Sequence, residues 1–204
     1  IKKTVFIDCG QEYYSEGPDR FKPVGETEFV VEIAKQAQED LSKAQISGIV
    51  GHANMMLGTS VNEVLEMHIE KGDGLFRGIR HAGGWDEDER VKNAHSHPTP
   101  HIYLEDEFQK GLEELASLNL VFDTWHYHNQ IKDLTTLAKN LPELVIIHDH
   151  FGGPLGIGPY KNKREEIFEI WKEDIVDLSQ CPNVYSKLGG LAMPVNGWDW
   201  HKRE

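Results

Sequence analysis

Residues 122–154 read FDTWHYHNQIKDLTTLAKNLPELVIIHDHFGGP, and they decide the fold. The stretch closes an apolar run over residues 118–124, continues into a helical segment over 131–140, and enters a second apolar run over 144–149 (LVIIHD). A strand, a helix and a strand in that order make a right-handed crossover between parallel strands. Each strand ends in H-x-H: His126 with His128, and His148 with His150. On an extended strand, alternate side chains share a side, so each pair aims two imidazoles one way. Neutral imidazole suits a zinc-like ion. We expect one member of each pair, His128 and His150, to serve a site. The other member, His126 or His148, is expected to pack or hydrogen-bond inside the fold.

The same alternation extends in both directions. Residues 4–9 (TVFIDC), 46–51 (ISGIVG), 75–80 (LFRGIR) and 183–188 (NVYSKL) read as strands. Residues 26–43, with Phe29, Ile33, Ala37 and Leu41 near one helical period, read as an amphipathic helix. So do 61–71, 105–117 (Phe108, Leu112, Leu115) and 163–178 (Ile167, Trp171, Ile175, Leu178). Residues 85–101 are too charged and too interrupted by proline to form an element. Six strands alternating with five helices in one domain over 1–204 leave two architectures: an open doubly wound sheet, or a (β/α)8 barrel seen in part. The nearest glycine-rich turn, residues 152–159, carries two prolines that remove donors a phosphate would need, which argues against a dinucleotide site.

Composition narrows the function. Of 204 residues, 21 are Lys or Arg and 34 are Asp or Glu, a formal charge of −13 that disfavours nucleic acid. No apolar run approaches the ~20 residues of a membrane helix, and no signal peptide is expected. Two cysteines, Cys9 and Cys181, make no disulfide framework and fit a reducing compartment, so a cytoplasmic protein is expected. A G-x-S-x-G elbow and a Walker sequence are both absent, which leaves water attack assisted by a metal or a histidine.

In parallel α/β folds the C-terminal strand ends share one face, and that face carries the site. Asp8, His52, Arg80, His81, Trp125, His128, His150 and Lys187 all fall at or just past strand ends. Arg80, always charged, needs an anionic partner, either a carboxylate of the protein or one on the substrate. Lys187 pairs with an acid or stays solvated. His95, His97 and His101 are expected in a solvated loop, His68 on a helix surface, and His201 in the polar tail.

These segments resemble the amidohydrolase-related family of predicted metal-dependent hydrolases with the TIM-barrel fold. Besides 122–154, the resemblance rests on VGETEFV (24–30), GIVGHA (48–53), FRGIRH (76–81), PLGIGPY (154–160) and NVYSKLGGL (183–191). It implies a lactonase-like hydrolase, with decarboxylases among its relatives. His128 would lie after the fifth barrel strand and His150 at the end of the sixth, both as catalytic residues or metal ligands. Arg80, Trp125 and Lys187 would face substrate. The resemblance also implies that the family's first-strand H-x-H and eighth-strand Asp lie outside the chain. Divalent metal such as zinc is then expected only where further ligands are supplied, and none in this chain alone. Unclosed strands at either end imply a homo-oligomer that covers the open barrel side, or a catalytically incomplete fragment that folds and associates without turnover.

Overall fold

A computed structural model describes residues 1–197, and His201 lies outside them. The strands are β1 (Lys3–Ile7), β2 (Gln45–His52), β3 (Phe76–Ala82), β4 (Val121–Trp125), β5 (Ile146–His148) and β6 (Val184–Ser186). The helices are α1 (Val24–Gln38), α2 (Asn62–Lys71), α3 (Asp106–Ser117), α4 (Ile131–Asn140) and α5 (Arg164–Leu178). The strands follow one another in sheet order β1-β2-β3-β4-β5-β6, and the pairs β1–β2, β2–β3 and β5–β6 are parallel. The expected alternation is therefore present, element for element, among the described residues. No described helix is long and apolar enough to cross a membrane.

Several boundaries move for local reasons. β4 begins three residues later than expected because Asn119, at φ 55, caps α3: its N–H donates to the Ala116 carbonyl, and that of Leu120 to Leu115. β5 begins late because the Leu144 N–H closes a turn onto the Leu141 carbonyl. The buried face of α1 is also not the expected one. Val24, Thr27, Val30, Val31 and Ala34 face inward, while Phe29, Ile33 and Leu41 are exposed. The β-branched pair at 30 and 31 outweighs the more widely spaced stripe because it meets Ile49 of β2 in a dry cluster.

By its internal contacts the chain divides into two compact units. The first comprises Ile1–His81 and Asp106–Asp123. Its core sets Val30, Val31 and Ile49 against Phe6, Ile46 and Leu75. Here α3 lies on the turn Met55–Val61, and a Cβ on Gly111 would strike the Met55 backbone. The second comprises Ala82–Glu105 and the chain from Thr124 onward. In it α4 packs on α5, and Val91, Tyr127 and Leu155 form a buried cluster flanked by Trp125, Ile157, Tyr160 and Val195. The polar stretch 85–101 is irregular, as its sequence implies. It nonetheless buries Asp86, Val91 and Ala94, while His95 and His97 stay exposed.

Candidate functional site

In the first unit the strand ends carry a set of paired polar groups. Arg80 donates through Nε and Nη2 to Asp123 Oδ1 at 2.8 and 2.6 Å, and Asp123 is 1% exposed. A protein carboxylate thus answers the guanidinium's need for an anion. His52 Nδ1 lies 2.9 Å from the Arg80 carbonyl, and His81 Nδ1 accepts the Met55 N–H. His68 corrects an expectation: it is fully buried, not on the helix surface. Its Nδ1 meets Thr27 Oγ1 at 2.8 Å, its Nε2 meets the His52 carbonyl at 2.9 Å, and its ring stacks on Phe76. The cause is the spacing of Val64 and His68, one turn apart on the face of α2 that is buried. Burial lowers its pKa to about 4.

The sequence reading missed Glu26, which looks like a surface acid in the first turn of a helix. It is 1% exposed, and its Oε1 accepts the Gln11 N–H at 2.7 Å. Burial, with the neighbouring Asp8 carboxyl, raises its pKa to about 7, while Asp8 also accepts the Tyr13 hydroxyl at 2.8 Å. A pKa raised on folding means that this group's contribution to stability is complete below the ordinary 4.5 and is lost as pH climbs through about 7. Glu26→Gln removes that ionisation. Thermal melts from pH 5 to 8 should therefore fall less in the variant than in the parent, and equal slopes would show that Glu26 does not titrate.

The second unit holds most of the remaining expected residues. β4 ends at Trp125 and β5 at His148, so the extended geometry that would align each H-x-H stops short. The pairs split instead. His126 and His148 are buried and stack on each other, ring centroids 5.2 Å apart. Tyr103 Oη approaches His126 Nδ1 at 3.3 Å and Ser186 Oγ approaches His148 Nδ1 at 3.0 Å. Burial holds both imidazoles neutral, His148 at about 4 and His126 well below its ordinary value. Their Nε2 atoms are buried without a hydrogen-bond partner among the described residues.

His128 and His150 instead open two short turns, His128–Gln130 and His150–Gly152, which pack against each other. His128 is 3% exposed, and burial lowers its pKa to about 4. Its Nδ1 accepts the Leu155 N–H at 3.4 Å, so the ring proton belongs on Nε2. The Tyr160 ring meets its edge, 5.0 Å between centroids, and the Tyr160 hydroxyl is fixed by buried Asp86 at 2.6 Å. His150 is half-buried, with Nε2 at 3.2 Å from Asp149 Oδ2. Lys187 Nζ approaches the other oxygen of the same buried carboxylate at 3.5 Å, the first of the two alternatives its sequence position left open. The His150 Nδ1 atom is buried with no hydrogen-bond partner among the described residues.

Local backbone explains how His150 is held. His150, Phe151, Gly152 and Gly153 lie at φ 50, 53, 69 and 45, four successive left-handed residues of which two carry side chains. The imidazole rests on Gly190, where any Cβ would fall on the ring. Trp125, half-buried, sets its ring 5.4 Å from that of Tyr127 and forms part of an apolar wall beside these turns. As a metal centre the set is incomplete. Among the described residues no three His, Cys, Asp or Glu side chains converge, and one nitrogen of each candidate histidine already has a protein partner.

The family described as amidohydrolase matches residues 18–202. The uncharacterized protein y4mH of Sinorhizobium fredii is 29% identical over 200 residues, which is 98% of this chain and 58% of that protein. The chain thus spans little more than half the length of this curated relative. An amidohydrolase from Burkholderia multivorans matches in two crystal structures. With zinc bound, the TM-score is 0.57 at 16% identity, over 94% of this chain and 70% of the other. With HEPES bound, the TM-score is 0.56 at 18% identity, over 92% and 71%. These matches carry the TIM-barrel-like α/β fold, with six of its strands among the described residues.

Proposed function

The chain belongs to the amidohydrolase family, and from that premise we propose that it serves to hydrolyse a small anionic lactone, or an amide or ester of similar size, with water activated by histidine. The observation that carries this reading is the buried Asp149 carboxylate between His150 and Lys187. A carboxylate that accepts the Nε2–H of an imidazole fixes its tautomer and stabilises the imidazolium that forms when the ring takes a proton. Once the ring lifts its buried Nδ1 from Gly190, that nitrogen receives a proton from water as the water oxygen adds to the substrate carbonyl. Neutral His128, carrying its proton on Nε2, donates to the oxyanion. When the C–O bond breaks, His150 returns the proton to the leaving oxygen, and a hydroxy acid results. Trp125 offers an apolar wall to the substrate ring, and Lys187 balances its charge.

Among the described residues no donor set matches a site for the zinc that the Burkholderia protein binds. In a fuller protein, zinc would require ligands besides His128 and His150. Work in the cytoplasm agrees with the two unpaired thiols, Cys9 and Cys181. Exposed Val5 on β1 and Tyr185 on β6, the two outer strands, suit a homodimer that covers them. Light scattering at micromolar concentration should give twice the chain mass, and a monomer would reject the dimer.

The test of the reaction is a substrate profile of the purified protein on carboxylated and neutral lactones. Ring opening of the carboxylated set supports hydrolysis, release of carbon dioxide assigns decarboxylation instead, and no turnover marks a non-catalytic chain. Arg80→Ala separates two roles within the same profile. If the guanidinium reads a substrate carboxylate, KM rises roughly tenfold for carboxylated substrates only, about 1.4 kcal/mol. An equal effect on neutral ones assigns Arg80 to Asp123 alone.

A further inference from the structure

Beside the His150–Gly153 turn, the second unit contains a cavity of about 150 Å³. Its walls are Pro154, Leu155, Ile167, Phe168, Trp171 and Leu191, and the one charged residue on the lining is Arg164. The Phe168 and Trp171 rings stand 5.7 Å apart at 32°, two aromatic faces on successive turns of α5. That volume matches a single six-membered ring, since an engineered apolar cavity of about 150 Å³ takes up benzene. Apolar walls with one convergent polar group are the ordinary make-up of a small-molecule site.

Arg164 identifies the polar end of the ligand. It occupies the first turn of α5 and is the one charged residue on the lining. A guanidinium at an aromatic pocket suits a planar carboxylate, which it meets with two parallel hydrogen bonds. We propose that this cavity is a binding site for a one-ring carboxylate, with the ring between Phe168, Trp171 and Leu191 and the carboxylate on Arg164. The proposal is independent of the hydrolytic reading. The cavity nevertheless adjoins the same turn, because Trp171 Nε1 donates to the Phe151 carbonyl at 2.6 Å and Pro154 directly follows Gly153. An occupant therefore alters the surroundings of Trp171 and, through that bond, presses on the residue next to His150.

Benzoate is the probe. Calorimetric titration of the intact protein should show saturable binding at one site, accompanied by a change in tryptophan fluorescence that Trp171→Phe removes. Arg164→Gln should weaken benzoate at least tenfold and leave benzyl alcohol, the neutral analogue, unchanged. Leu191→Trp fills the cavity and should abolish binding of both, with a far-ultraviolet circular dichroism spectrum that shows the fold intact. Absence of saturable benzoate binding, equal affinity in Arg164→Gln, or binding that survives Leu191→Trp would each overturn the assignment. Phe168→Ala, a change at a half-exposed position, supplies a second cavity variant should Leu191→Trp not fold, and it too should weaken benzoate.

Discussion

Replacing His150 by alanine is expected to lower lactone hydrolysis by about 100-fold or more while leaving the melting temperature nearly unchanged. General acid–base catalysis by one positioned side chain contributes roughly 10²–10⁴ in rate, so its removal costs about 2.7 kcal/mol or more of transition-state stabilisation. The loss should fall on kcat, because an imidazole that moves a proton acts in the transition state more than in binding. Stability should change little for two reasons. The imidazole is half-buried, and Asp149 keeps Lys187 as a partner when the ring is gone. Full activity in His150→Ala would remove this residue from the site.

Gly190→Ala is expected to be nearly as damaging, although residue 190 has no side chain to contribute. A Cβ there would fall on the His150 imidazole, and Gly190 sits at φ 81, a conformation that costs other residues about 1–3 kcal/mol. The ring must swing off Asp149 to make room. Activity should then fall on the order of 100-fold, and the melting temperature should fall as well, which distinguishes this variant from His150→Ala. A double-mutant cycle separates the two effects. With His150 already alanine, the glycine substitution should cost stability but no further activity. Independent, additive losses of activity would mean that Gly190 acts on something other than the imidazole.

How much of this was legible beforehand depends on the range of the interactions concerned. The strand–helix alternation is written in local hydrophobic periodicity, and α4 falls on residues 131–140 as its pattern implies, because one amphipathic face meets one neighbour. The face of α1 was misread because Val30 and Val31 are chosen by Ile49 in a different element, not by their own spacing. His68 and Glu26 were missed for the same reason. A buried histidine in a polar helix, or a buried acid in a first turn, is visible only once Thr27, Gln11 and Asp8 are known to stand beside it. The H-x-H segments do meet, His126 against His148 and the His128 turn against the His150 turn. Their division into a stacked buried pair and two turn residues depends on where β4 and β5 stop, which side-chain type alone does not set.

The run of four left-handed residues from His150 to Gly153 has a kinetic side. An unfolded chain visits that conformation rarely at Phe151 and His150, and the local return is two turn hydrogen bonds, from the Gly152 N–H to the Asp149 carbonyl and from the Gly153 N–H to the His150 carbonyl. Formation of this corner must therefore wait until β5, the segment around Gly190 and Trp171 of α5 are already assembled to hold it. On the proposed reading of His150, refolding followed by circular dichroism is expected to run ahead of recovered hydrolysis, and simultaneous recovery would reject that order.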